Sequence, residues 1–202
     1  MTARTRNPEV TRTAILDAAE KVFLGKGYGE ASMSQIAAEA AVTKSLLHHY
    51  FGSKDNLWTE VKVRRFAVYA DHQLAMLERA DPDVNLLMES MKTYFHFLKD
   101  NPEMVRILAW VFLERQQDAC MTMDQGLMEA GAAKVAESQA RGEIRADLNP
   151  HFILFTMVGI VQHWFQDRGH VLERLDGADP DAVDQAYLGD VVKIFFEGIL
   201  PR

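Results

Sequence analysis

Apolar residues recur along this chain at intervals of three and four positions, the spacing that places side chains on one face of an α-helix. Ile15, Ala18, Ala19, Val22 and Phe23 form one such stripe, and Gly27 is placed to end that helix. Leu87, Met91, Tyr94, Phe95 and Leu98 form a second stripe; Ile107, Val111 and Leu113 support a third, and Leu127, Met128 and Val135 a fourth. A further helix is expected to start near Ser53 and to run through Leu57 and Val61 towards Leu77. The last two candidates, Pro150 to about Arg168 and Pro180 to about Leu200, are apolar around much of their circumference. No run alternates as a half-buried strand would. The pattern predicts an all-α fold of about nine helices.

Five of the six prolines follow Asp or Asn: Asn7-Pro8, Asp81-Pro82, Asn101-Pro102, Asn149-Pro150 and Asp179-Pro180. Asx residues are favoured helix N-caps, and proline suits the first helical position because its missing N–H has no partner to lose there. Each pair therefore reads as a helix start.

The segment YGEASMSQIAAEAAVTKSLLHHYF, residues 28–51, has a finer structure. Ser32-x-x-Gln35 is a capping box opening a short helix that turns Ile36, Ala37 and Ala40 inward. After a break at Ala41-Val42, Thr43 is placed to cap a second short helix. Two short helices joined by a tight turn form a helix-turn-helix. Leu47 and Phe51, one turn apart, face the core, which leaves Lys44, Ser45, His48 and His49 outward, within reach of phosphates and base edges in a major groove. Lys54 at the next helix start is expected to attract a phosphate, and Arg4 and Arg6 to form a basic arm.

Charge sharpens this picture. The net formal charge is −7, yet residues 1–65 hold ten Lys/Arg against seven Asp/Glu, net +3, and residues 66–202 hold twelve against twenty-two, net −10. A basic N-terminal module precedes an acidic body. With 48% hydrophobic and 25% charged residues the chain is globular in composition, with enough apolar material for a sizeable core. The single cysteine, Cys120, cannot form an intrachain disulfide or a CxxC metal pair and fits a reducing compartment. The N-terminus lacks the apolar centre of a signal peptide, and the most apolar segment, Phe152–Phe165, is shorter than the roughly 20 residues needed to cross a bilayer. A cytoplasmic protein is expected. His48 and His49 point about 100° apart on a helix, which disfavours a shared metal. Gly25-x-Gly27-x-Gly29 follows a helix, not a strand, and reads as a helix stop instead of a phosphate loop. No nucleophile–base–acid set, metal cluster or cofactor fingerprint is present in the sequence, so neither catalysis nor a cofactor is expected.

The runs ILDAAEKVFLGKGY, SMSQIAAEAAV, TKSLLHHYF and SKDNL, in this order and spacing, resemble the DNA-binding domain of the tetracycline-repressor (TetR) family of bacterial regulators. RGEIRADLNP, residues 141–150, is similar to a turn in the family's regulatory domains. This chain has Ala41 where the family usually has glycine, and His48 where tyrosine is frequent. The resemblance implies DNA contacts from Ser32, Ser34, Lys44, Ser45, His48, Tyr50 and Lys54; with Thr43 and His49 from the same helix, these form the candidate DNA-binding set.

The resemblance also implies a DNA-binding domain over residues 1–53, a regulatory and dimerisation domain over 54–202, and a two-subunit bundle built from the last two helices. Gly159, Ile160, Phe195 and Phe196 are the candidate dimer contacts. Methionines and aromatics crowd the body, and such residues line pockets as well as cores. Met88, Met91, Phe95, Trp110, Met128, His163 and Trp164 are the candidates for an effector pocket. The expected protein is a homodimeric repressor on a palindromic double-stranded operator, released by a small, largely apolar effector. The alternative is a regulator of the same fold that answers to a protein partner or to no ligand.

Overall fold

The computed structural model describes residues 7–79, 84–114 and 119–200, and among them there are nine helices and no strand. They are α1 (Pro8–Glu30), α2 (Met33–Glu39), α3 (Lys44–Phe51), α4 (Lys54–Arg79), α5 (Val84–Asp100), α6 (Pro102–Glu114), α7 (Ala119–Ala140), α8 (Pro150–Arg174) and α9 (Pro180–Ile199). None is long and apolar enough to cross a membrane.

Three Asx-Pro pairs cap as their chemistry dictates. Asn7 accepts from the N–H of Glu9, Asn149 from that of His151 and Asp179 from that of Asp181, each with proline at the start of the helix. Asn101 behaves differently: its Nδ2 donates to the Phe97 carbonyl at 2.8 Å, so it closes the end of α5. The pair Asp81-Pro82 lies outside the described residues. α8 continues to Arg174, beyond the end near Arg168 that its apolar pattern indicates; Val171, one turn past Arg168, still packs against the core.

The N-terminal stripe packs as its spacing requires: Ile15, Ala19 and Phe23 are buried against Ile36, Leu47 and Phe51 of the two short helices. At Gly27 the backbone of α1 turns to φ 80°, ψ 162°, a conformation essentially reserved for glycine, and a Cβ there would lie 2.9 Å from Cζ2 of Trp110. Trp110 of α6 therefore seats directly on the kink of α1. Leu113, the third member of its stripe, is exposed near the end of α6.

α4 is shared. Its first turns pack on α1 and α3, and its remainder lies along α7 and α5 in the body. α8 packs on α5 and α7, with α9 against α8 and α5. One continuous core runs from Ile15 to Ile199, with a small satellite of Met76, Leu77 and Leu86.

A fully buried carboxylate ties the far end together. Asp184 of α9 accepts from Trp164 Nε1 at 3.0 Å and from Arg168 Nε and Nη2 at 2.7 and 2.9 Å, all on α8, while Lys99 Nζ of α5 stands 3.4 Å away. Burial alone would raise the Asp184 carboxyl, but the hydrogen bonds from Arg168 and Trp164 outweigh it and hold the group below the usual carboxylate range. Trp164 is further fixed by stacking on Tyr187 at 4.0 Å.

Ala41, at φ 52° in the interhelical turn, occupies a left-handed conformation that costs an L-residue about 1–2 kcal/mol, so Ala41→Gly should raise stability in urea by about 1 kcal/mol. Gly27→Ala should lower it. A carboxyl whose folded pKa is depressed stabilises above its unfolded pKa of about 3.9 and loses that contribution as pH falls through the folded value. Stability should therefore decline below about pH 4, and Asp184→Asn should flatten that decline while costing about 3–5 kcal/mol at neutral pH, measured by chemical denaturation.

Candidate functional site

The first site is the face of α2 and α3. Ser32 Oγ accepts from Gln35 N at 3.3 Å while Gln35 Oε1 accepts from Ser32 N at 3.0 Å, completing the capping box. Thr43 Oγ1 accepts from Leu46 N at 3.1 Å, and Val42 N donates to Ala37 O at 2.9 Å across the turn. With Leu47 and Phe51 buried, Lys44, Ser45, His48 and His49 are all exposed, as are Ser32, Ser34 and Thr43. No carboxylate interrupts the α3 run KSLLHHYF.

His48 is oriented by its own helix end. Its Nδ1 lies 2.7 Å from the Gly52 carbonyl, which can only accept, so Nδ1 carries the proton and Nε2 is left to meet a ligand. His49 meets Tyr50 edge-on at 5.9 Å, and Tyr50 is half-buried against the core. The two imidazoles do not converge, and no group of three or more His, Cys, Asp or Glu among the described residues could hold a metal.

Lys54 departs from the sequence expectation. Its Nζ donates to the carbonyls of Tyr28 at 2.8 Å and Ala31 at 2.9 Å and sits 4.2 Å from the Tyr28 ring centroid. Carbonyls left open where α1 ends are strong acceptors, and they draw the ammonium onto the protein. Lys54 thus pins the α3–α4 corner to α1, with Asp55 bonded to the Tyr28 hydroxyl beside it.

Behind this face, α1 and α4 are clasped by charge. Glu20, largely buried, accepts from Arg64 Nη2 at 2.6 Å and from Arg65, and Arg64 Nη1 also reaches Asp17 at 2.7 Å. Burial works to raise the Glu20 carboxyl, and the two guanidinium groups overcome it to hold the group below its ordinary value. Arg12 of α1 pairs with Glu60 of α4 on the same seam.

The second site is a cavity inside the body, with walls from α4, α5, α7 and α8 and with Leu108 of α6 and Ile144 completing it. Phe66, Tyr69, Gln73 and Leu77 supply the α4 wall at helical spacing; Met128, Val135 and Ser138 come from α7, and Leu154 and Met157 from α8. α7 and α8 approach closely at Gly131, where a Cβ would stand 2.9 Å from Leu154 Cδ1. The cavity has about 70 Å³ of free space, room for several water molecules.

Of the residues expected around an effector, Met128 lines this cavity and the others stand elsewhere. Met91 and Phe95 are fully buried core, and Met88 packs against that core. Trp110 covers Gly27, Trp164 is held by Asp184, and His163 is exposed beside Asp167. Gln73, Ser90, Lys134 and Gln162 were missed; the signal for Gln73 is a polar residue interrupting the stripe Phe66, Tyr69, Leu77. Among the dimer candidates, Gly159 is exposed and Ile160 half-buried, but Phe195 and Phe196 turn into the subunit's own core. The exposed apolar side chains of α8 and α9 are Phe152, Phe155 and Ile194.

Comparison with known proteins covers both parts of the chain. Residues 15–61 match the family model for bacterial regulatory proteins of the tetR family, and residues 89–193 match that for the tetracyclin repressor-like C-terminal domain. The HTH-type transcriptional repressor SCO4008 of Streptomyces coelicolor is 30% identical over 159 residues, 77% of this chain and 78% of the repressor. The HTH-type transcriptional repressor NicS of Pseudomonas putida is 27% identical over 183 residues, 87% of this chain and 85% of NicS. A solved structure of AibR in complex with isovaleryl coenzyme A and operator DNA superposes with a TM-score of 0.72 at 19% identity, covering 92% of this chain and 98% of that one. A capped helix-turn-helix joined through a shared fourth helix to a hollow helical body, matched along both parts, makes this chain a member of the TetR family of DNA-binding transcriptional regulators.

Proposed function

We propose that the protein is a homodimeric repressor that reads a two-fold symmetric operator and releases it when a small, largely apolar effector enters the cavity of the body. The observation that carries this reading is the placement of α4: it begins directly after the recognition helix α3, and four of its side chains form a wall of the cavity. In this reading residues 1–53 are the DNA-binding unit and 54–202 the regulatory unit, with α4 as the lever between them.

Lys44, Ser45, His48 and His49 meet the major groove, with Ser32, Ser34, Thr43 and Tyr50 on the flanking backbone; Lys54 positions them. The exposed apolar side chains Phe152, Phe155 and Ile194 supply the apolar part of the dimer contact, with Gly159 allowing close approach. A two-fold dimer sets its recognition helices about 34–36 Å apart for successive major grooves.

Release follows from linkage. The cavity is small in this conformation, so an effector of ordinary size must part α4 from α7, which changes the pitch of α4 and of the helix it follows. A second route runs through α6: Leu108 faces the cavity, and Trp110, on the same helix, bears on the kink of α1. An effector that prefers the parted state weakens DNA binding by the factor by which DNA weakens its own, and a near-complete switch needs a differential of about 5 kcal/mol.

Selection from randomised duplex DNA at fixed salt should recover a two-fold symmetric site. On that site Lys44→Ala and His48→Ala should each lose about 1–3 kcal/mol of affinity, with thermal midpoint and subunit number unchanged. Undiminished affinity in both variants would remove α3 as the reading element.

A further inference from the structure

The polar groups on the cavity wall are not equally available to a ligand. Ser90 Oγ donates to Gln73 Oε1 at 2.9 Å, and Gln73 Nε2 donates to the Ser90 carbonyl at 3.2 Å, closing a pair between α4 and α5. Gln162 Nε2 donates to the Tyr94 hydroxyl at 2.6 Å, closing another between α8 and α5. Opening either pair would exchange one hydrogen bond for another, with little net gain.

Lys134 differs. Beyond Leu127 and Met128, the α7 wall continues through Gly131, Lys134, Val135 and Ser138 at i, i+3, i+4 and i+7. Ser138 is 1% exposed, while the Lys134 side chain is 28% exposed, so Lys134 stands where the cavity meets solvent. Its Nζ lies 3.5 Å from Glu137 Oε2, well beyond the roughly 2.7–2.9 Å of a strong ammonium–carboxylate bond. Glu137 is itself half-exposed, and a pair of this kind contributes about 0–1 kcal/mol. The ammonium can leave Glu137 at little cost, with its stem already lying along apolar wall. Among the described lining residues there is no Asp or Glu, so Lys134 is the one formal charge on the wall.

We infer that the effector is an anionic amphiphile: a hydrocarbon body of modest size in the interior and a carboxylate or similar oxyanion on Lys134 Nζ at the mouth. This rests on the reading of the cavity as the effector site and adds the chemical class. A neutral body of the same shape gains only apolar burial, about 25 cal/mol per Å² removed from water. An amine of the same shape places like charge against Lys134.

Octanoate, octan-1-ol and octylamine, each titrated calorimetrically below its aggregation concentration, separate these terms. In the unmodified protein octanoate should bind about tenfold or more tighter than octanol, equivalent to about 1.4 kcal/mol, with octylamine weakest. Lys134→Met should abolish the preference for octanoate while leaving octanol within about twofold, and Lys134→Arg should retain most of it. Because Lys134 is partly exposed, both variants should keep the parent's thermal midpoint. Equal binding of octanoate and octanol, unaltered by Lys134→Met, would overturn the anion assignment and leave the effector-site reading intact. Failure of all three to bind the unmodified protein would overturn both.

Discussion

Glu20 is where the mechanics of this molecule converge. Its carboxylate leaves water at the seam between α1 and α4 and is repaid by two adjacent guanidinium groups, Arg64 and Arg65, on the facing helix. Two consecutive arginines on a helix point about 100° apart, so only a carboxylate standing between them receives both, and the arrangement fixes the rotation of α4 about its axis as well as its distance from α1. Removing one partner of a fully buried pair costs about 3–5 kcal/mol. Here the arginines are about a third exposed, at 33% and 35%, so a value nearer 2 kcal/mol is appropriate.

The other contacts of the N-terminal unit build on that fixed rotation. Arg12–Glu60 extends the seam along α4, and Lys54 ties the start of the same helix to the last carbonyls of α1. α3 enters α4 through the short bend at Gly52-Ser53, so its exposed face has no freedom independent of α4. Further along α4, Phe66, Tyr69 and Gln73 look into the cavity. A displacement made there would be carried by a helix locked to α1, and the Trp110–Gly27 contact applies α6 to the same C-terminal end of α1 that Lys54 holds. The acidic body and the basic N-terminal unit thus share one packed helix, through which a linkage between sites that do not touch can run.

The helix-turn-helix was legible in the sequence because every signal for it is local: the Ser32–Gln35 capping box, the Thr43 cap, and the Leu47/Phe51 spacing that turns Lys44 and His48 outward. The helical fold was legible from the same short-range periodicities. The cavity was not. Its wall is chosen by which helices pair, and α4 carries Phe66, Tyr69 and Gln73 on a stripe that reads like any other core face. Selecting by residue type favoured Met91, Phe95 and Trp164, which tertiary packing places in the solid core. Phe195 and Phe196 show the same limit, since an apolar helix does not announce whether it faces its own subunit or another. Asn101 shows a smaller one: its position before Pro102 reads as a cap, yet the free Phe97 carbonyl takes its amide.

The claim that the Glu20 clasp sets the position of the recognition helix is tested most directly by hydrogen exchange on Glu20→Gln beside the parent. If the clasp governs α3, amides of α1, α2 and α3 should exchange faster while those of α8 and α9 keep their protection, and DNA affinity should fall with the subunit number unchanged. Unchanged exchange in α2 and α3, together with unchanged DNA affinity, would show that the recognition helix is held by something other than α4.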